Sequence, residues 1–156
     1  MTIRAARPDE AETLLAIQRD ACVVAFAHIF PPDAYPFPDD EVRGNWRDLL
    51  ANPQGSEVYV AEADGVPVAA VSLGAGFLST LYVVPAHQGT GVGTALHDLA
   101  LDRLRAHGND SARLWTLEEN WDARRYYEKR GWTLTDERRV VPFPPGPIDV
   151  QYAKGL

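Results

Sequence analysis

The chain has 156 residues, room for one domain and its core rather than two. Apolar residues make up 46% and charged residues 24%, a globular balance that excludes a disordered or fibrous protein. Lys and Arg number 15 against 22 Asp and Glu, and the resulting charge of −7 argues against non-specific binding to nucleic acid or an anionic membrane.

The start, Met1-Thr2-Ile3-Arg4, lacks an apolar leader, and no apolar run approaches the ~18 residues of a membrane span, so a soluble cytoplasmic protein is expected. A short strand over Thr2 to Ala5 leads to Arg7-Pro8-Asp9-Glu10, with Asp9 as N-cap or first-turn acid of an amphipathic helix to about Phe26. Cys22, the single cysteine, lies in that helix among Ala21, Val23 and Val24; it permits no internal disulfide and reads as a buried, inert thiol. Four prolines between Phe30 and Pro38 exclude helix there, and Asp39 and Asp40 begin a shorter helix through Trp46 and Leu49. Asn52-Pro53-Gln54-Gly55 ends it.

Glu57 to Ala63 and Pro67 to Leu73 read as strands joined at Asp64-Gly65, a strong hairpin signal. Gly74 and Gly76 precede a third strand, Phe77 to Val84. From Gly91 to Ala106 the spacing of Val92, Ala95, Leu96, Leu99, Ala100 and Leu104 is helical, and Gly108-Asn109 closes that helix. Ala112 to Leu117 is a strand, Asn120 or Trp121 to Arg130 a helix with Gly131 as its stop, and Trp132 to Val141 and Ile148 to Ala153 are two final strands. The order β-α-α-β-β-β-α-β-α-β-β describes one α/β domain spanning 1–156.

Leu81-Tyr82-Val83-Val84-Pro85 feeds the loop Gln88-Gly89-Thr90-Gly91-Val92-Gly93, which opens a helix. Glycines let the backbone approach a ligand closely, and the first N–H groups of a helix lie unpaired at the positive end of its dipole. A pyrophosphate can therefore be held by main chain inside an acidic protein. A Walker A loop is excluded by the missing lysine, and the GxGxG spacing, set off from the strand by Pro85 to Gln88, fits a dinucleotide fingerprint poorly. The four histidines show no ligand spacing, so no metal is expected.

The loop resembles the Gln/Arg-x-x-Gly-x-Gly/Ala signature of the GNAT superfamily of N-acetyltransferases. Downstream, Asn120-Trp121-Asp122-Ala123-Arg124-Arg125-Tyr126-Tyr127-Glu128-Lys129-Arg130-Gly131-Trp132 is similar to that family's Asn-x-x-Ala-x-x-Phe/Tyr-Tyr-Glu-Lys-x-Gly-Phe/Trp segment. The close likeness covers about residues 77 to 133. It implies the family's α/β (α+β mixed) fold: a mixed, largely antiparallel sheet of about six or seven strands flanked by about four helices. It also implies acetyl-coenzyme A as co-substrate and an amine, on a small molecule or peptide, as acceptor. By the same resemblance, main chain of Leu81, Tyr82 and Val83 would hold the pantetheine arm, and one of those N–H groups would support the tetrahedral oxyanion. Gln88, Gly89, Thr90, Gly91, Val92, Gly93 and Thr94 would hold the pyrophosphate, Asn120 the pantetheine, and Tyr127 would protonate the departing thiolate. Arg124 is either a phosphate ligand or a solvated side chain, and Tyr126 is expected in the core.

A lysine-like amine must lose its proton before attack, which costs roughly 4.6 kcal/mol at pH 7. Many relatives carry a glutamate just before the Leu-Tyr-Val stretch; here Leu78-Ser79-Thr80 has no carboxylate. Glu118 and Glu119 are the candidate bases, beside a water chain, although acids at a helix start also serve its dipole. Phe30, Tyr35, Phe37, Trp46 and Phe143 could wall an apolar amine pocket, pack in the core or, around Pro142 to Pro147, meet a second copy in a homodimer. A non-catalytic acyl-coenzyme A sensor with the same fold is the alternative function.

Overall fold

In the computed structural model, which describes residues 1–156, seven strands form one sheet: β1 (Thr2–Ala5), β2 (Glu57–Ala63), β3 (Val66–Gly74), β4 (Phe77–Val83), β5 (Ser111–Leu117), β6 (Thr133–Val140) and β7 (Ile148–Gly155). Their spatial order is β1-β2-β3-β4-β5-β7-β6. Every neighbouring pair is antiparallel except β4 and β5. Four helices flank it: α1 (Ala11–Ala25), α2 (Asp39–Ala51), α3 (Val92–Ala106) and α4 (Trp121–Lys129). The mixed, largely antiparallel architecture and the element order agree with the sequence reading. No helix is long and apolar enough to cross a membrane.

Strand alternation divides the core into two layers. Ala61, Ala69 and Val71 point to the face covered by α3, where they pack with Leu96, Ala100 and Leu104. Val60 and Ala70, one residue out of phase, meet Leu14, Leu15, Val42 and Trp46 of α1 and α2 on the other face. Two hairpins hold the register. Asp64 and Gly65 take φ of 52° and 77°, and Ala75 and Gly76 take 51° and 81°, the left-handed pairs that two-residue turns between twisted strands require. Gly74 is not part of the second turn. It ends β3, where a Cβ would come within 2.7 Å of Ser56 Oγ.

Local differences from the sequence reading have physical causes. Asp9 does not cap α1: the N-cap is Glu10, and its carboxylate turns to Arg4, 2.7 and 2.8 Å away, and to the Arg7 amide at 2.7 Å. The bidentate Arg4 guanidinium holds the Glu10 carboxyl down at about 2, so the acid serves a partly buried ion pair rather than the helix end. Trp46 is core, 5% exposed, with its indole N–H donated to Gln18 at 2.8 Å. The stretch Pro85–His87 forms one 3-10 turn where sequence predicts only loop. Cys22 is buried as expected, and desolvation pushes its thiol up to about 12.

Candidate active site

β4 and β5 are in register at a single pair, Phe77 and Arg113, anchored by the Arg113 amide on the Gly76 carbonyl at 3.0 Å. Beyond that point the two parallel strands have no paired residues, and Leu81, Tyr82 and Val83 line a groove of ≈ 900 Å³. The Val84 amide donates to the Val68 carbonyl at 3.0 Å on β3. Antiparallel ladders alternate, so Tyr82 shares main-chain bonds with β3, while the peptide groups of Leu81 and Val83 face the opening toward β5. The Val83 carbonyl indeed accepts Gln88 Nε2 at 3.2 Å instead of a ladder partner.

The glycine loop closes one end of this groove. Gly89 and Gly91 have φ of 74° and 91°, and Gly91 is the N-cap of α3 with no side chain capping the helix. The first bond along this helix start runs from the Ala95 amide to the Gly91 carbonyl at 3.0 Å, so the amides of Val92, Gly93 and Thr94 have no partner from a preceding turn. Gly93 sits so close to β4 that a Cβ would lie 3.2 Å from Val83 Cγ2. Gln88, Gly89, Gly91, Gly93 and Thr94 line the groove. Thr90 and Val92 do not: the Thr90 hydroxyl donates back to the His87 carbonyl at 2.6 Å, and Val92 is buried in the core.

α4 forms the opposite wall. Asn120 caps it, accepting from the Ala123 amide at 3.4 Å, and lines the groove with Ala123, Tyr126 and Tyr127. Tyr127 is 8% exposed and packs against Tyr126, Trp132 and His97 with ring centroids 5.3, 5.9 and 6.4 Å away. Burial raises its pKa, so the hydroxyl stays protonated through the physiological range. Tyr126, expected in the core, packs against it but is only half-buried and also forms groove wall, its hydroxyl 3.1 Å from Thr94 Oγ1.

Arg130 is the residue that sequence reasoning missed. Its guanidinium lies 3.5 Å over the Tyr126 ring and donates to Thr94 Oγ1 at 2.9 Å, which brings a cation to the start of α3. It is the one Lys or Arg on the groove wall. Arg124 faces elsewhere, donating to Tyr152 Oη at 3.0 Å and to the Glu118 carbonyl at 2.9 Å. The spacing Ala123, Tyr126, Tyr127, Arg130 is the helical i, i+3, i+4, i+7 stripe that would have found it.

His97 supports this wall from below. Its Nε2 accepts the Trp132 indole N–H at 3.0 Å, which fixes the tautomer: Nδ1 carries the proton and donates to Asp98 at 2.9 Å. Burial lowers its pKa, so the ring is neutral in the fold. Below about pH 6.5 the unfolded chain takes up a proton that native His97 refuses, so stability falls with pH from there to the lowered native pKa. Replacing His97 with Leu leaves the Trp132 N–H without a partner, an expected loss of about 1–3 kcal/mol near pH 7.5 and a Tm drop of about 5 °C. Urea unfolding at about pH 7.5 and about pH 5 should show the gap to wild type narrowing at the lower pH; a constant gap would contradict a buried neutral imidazole.

Neither candidate base reaches the groove. The Glu118 carboxylate is paired with Arg138, and Glu119 is exposed, its carbonyl accepting His28 Nε2 at 2.8 Å. A second cavity of ≈ 530 Å³ adjoins the groove, sharing Cys22, Phe26, Tyr82 and Thr116. Phe30, Tyr35, Phe37 and Phe143 line it, as does Asp149.

The acetyltransferase (GNAT) family model matches residues 23–132. A mycothiol acetyltransferase from Beutenbergia cavernae is 48% identical over 58 residues, 37% of this chain, and the chain spans only a fifth (20%) of that protein's length. Among solved structures, the PaiA N-acetyltransferase of Thermoplasma acidophilum, in complex with coenzyme A, superposes with a TM-score of 0.77 at 18% identity over 100% of both chains. A GCN5-related N-acetyltransferase from Rhodopseudomonas palustris gives 0.73 at 24% identity, covering 99% of this chain and 95% of its own. YncA of Salmonella typhimurium, solved with its cofactor acetyl-CoA, gives 0.72 at 21% identity over 100% and 94%. The structural likenesses carry the fold and the family model carries the membership: this chain belongs to the acetyltransferase (GNAT) family.

Proposed function

We propose that this protein transfers the acetyl group of acetyl-coenzyme A to an amine. The observation that carries the reading is the continuous path from the opening between β4 and β5 to the uncapped start of α3, with Tyr127 on its wall. A pantetheine arm can add to the exposed edge of β4 as an extra strand would, through the peptide groups of Leu81 and Val83. Its pyrophosphate then meets the free amides of Gly93 and Thr94, with Arg130 beside them, as a helix N-terminus favours.

The reaction needs little else from the protein. The amine nitrogen attacks the thioester carbonyl, the N–C bond forms, and a β4 amide stabilises the oxyanion. The C–S bond then breaks, Tyr127 gives its proton to the sulfur, the nitrogen loses its own proton to water, and water returns a proton to the Tyr127 oxygen. The one carboxylate lining the groove, Asp122, is exposed and paired with Arg125, so desolvation in the adjoining cavity, which lowers the pKa of an entering ammonium, supplies part of the deprotonation. Thiol release from acetyl-coenzyme A across an amine panel tests this. Amine-dependent release above the hydrolytic background is expected; tight coenzyme A binding with no transfer to any amine would replace the enzyme by a sensor.

A further inference from the structure

The two cavities meet at Cys22, Phe26, Tyr82 and Thr116, so a molecule seated in the second presents one end to the place where the groove carries a thioester. At ≈ 530 Å³ that cavity suits a single small ligand. The loop between α1 and α2 supplies Phe30, Tyr35 and Phe37, and the connection between β6 and β7 supplies Phe143.

Charge on the lining is as informative as shape. No lysine, arginine or histidine lines it, and its two ionisable acids are Glu41 and Asp149. Asp149 is already answered: Arg139 Nε lies 3.0 Å away, and the same guanidinium sits 4.3 Å over the Trp115 ring. Glu41, in the first turn of α2, makes no ion pair and no side-chain hydrogen bond, and it is exposed to solvent at the edge of the cavity. The cavity therefore carries about one uncompensated negative charge, at its solvent-facing edge, above aromatic and proline-rich walls. An anionic ligand would find no cation. A polycation would have to bury a second ammonium against rings and prolines, at a desolvation cost that one free acid does not offset.

The geometry points to a primary monoamine with an aryl body, free of carboxylate and phosphate, as the acceptor. This rests on the acetyl-transfer reading, since the amine would be the nucleophile of that reaction. Calorimetry on the full chain saturated with coenzyme A separates the two, because amine binding needs no turnover. 2-Phenylethylamine should bind at least 10-fold more tightly than phenylalanine, which adds a carboxylate, and at least 10-fold more tightly than spermidine. Glu41→Gln should weaken 2-phenylethylamine and narrow its advantage over phenylalanine, and Phe37→Ala should weaken it further, both variants keeping a cooperative thermal transition. Equal affinity for phenylalanine or spermidine, or no binding of 2-phenylethylamine, overturns the assignment. Thiol release measured on the same samples reports on transfer alone: release with spermidine and no phenylethylamine binding would sink the acceptor class and keep the enzyme, while phenylethylamine binding without release with any amine would sink the enzyme, and with it the acceptor role, and leave the aryl monoamine only as the cavity's ligand.

Discussion

Tyr127→Phe is expected to lower kcat by about 100-fold while the affinity for acetyl-coenzyme A changes by less than about twofold. The substitution removes one oxygen and leaves the ring, whose packing against Tyr126, Trp132 and His97 makes this wall. The Tyr127 side chain lines the groove and its hydroxyl answers no other buried side chain, so its loss strands no other buried group. Stability should therefore hardly move, which separates a chemical role from a structural one. The raised pKa keeps the phenol protonated but makes it a weaker acid, so its donation comes only once negative charge has built up on the departing sulfur. An interaction made only then lowers kcat and spares binding. Steady-state kinetics at saturating acetyl-coenzyme A, paired with calorimetry for the cofactor, checks both halves. Equal turnover in the two proteins would remove Tyr127 from the chemistry. Weakened cofactor binding with unchanged kcat would recast it as a pantetheine contact.

Much of this was legible in the sequence because local signals set it. Period-two and period-3.6 patterns located every strand and helix within a few residues, and two glycine-containing turns separated β2, β3 and β4. Failures came where a side chain had two partners to choose between. Asp9 and Glu10 both suit a helix start, and only the fold reveals that Arg4 of β1 arrives beside Glu10. Arg124 and Arg130 both lie near Tyr127 in the chain, but the rotation of α4 sends one to Tyr152 on β7 and the other to Thr94 on α3. Trp46 and Phe37 belong to one aromatic-rich stretch. Trp46 enters the layer between α1, α2 and the sheet, whereas Phe37 lines the second cavity. The missing pairing of β4 with β5 has no sequence signature, because it is a property of main chain divergence.

The second large effect concerns that main chain directly. Gly91→Val should reduce affinity for acetyl-coenzyme A by at least ~100-fold, the loss of about two charge-assisted bonds from amide to phosphate. Nothing lies within 4 Å of a Cβ built at Gly91, so crowding is not the cause. The cause is φ of 91°, a left-handed conformation that costs an ordinary L residue about 1–2 kcal/mol, with a β-branched side chain among the worst fits. The loop relieves this by turning residue 91, and residue 91 aims the first amides of α3. A Tm drop of about 5 °C with helix content preserved would show that the change is local. Acetyl-pantetheine, which has no pyrophosphate, supplies the internal control. Wild type should prefer acetyl-coenzyme A over it strongly in kcat/KM, and Gly91→Val should erase most of that preference while using acetyl-pantetheine about as well as wild type does. A variant with an intact α3 and undiminished preference for the nucleotide would mean that the diphosphate is held somewhere other than this helix end.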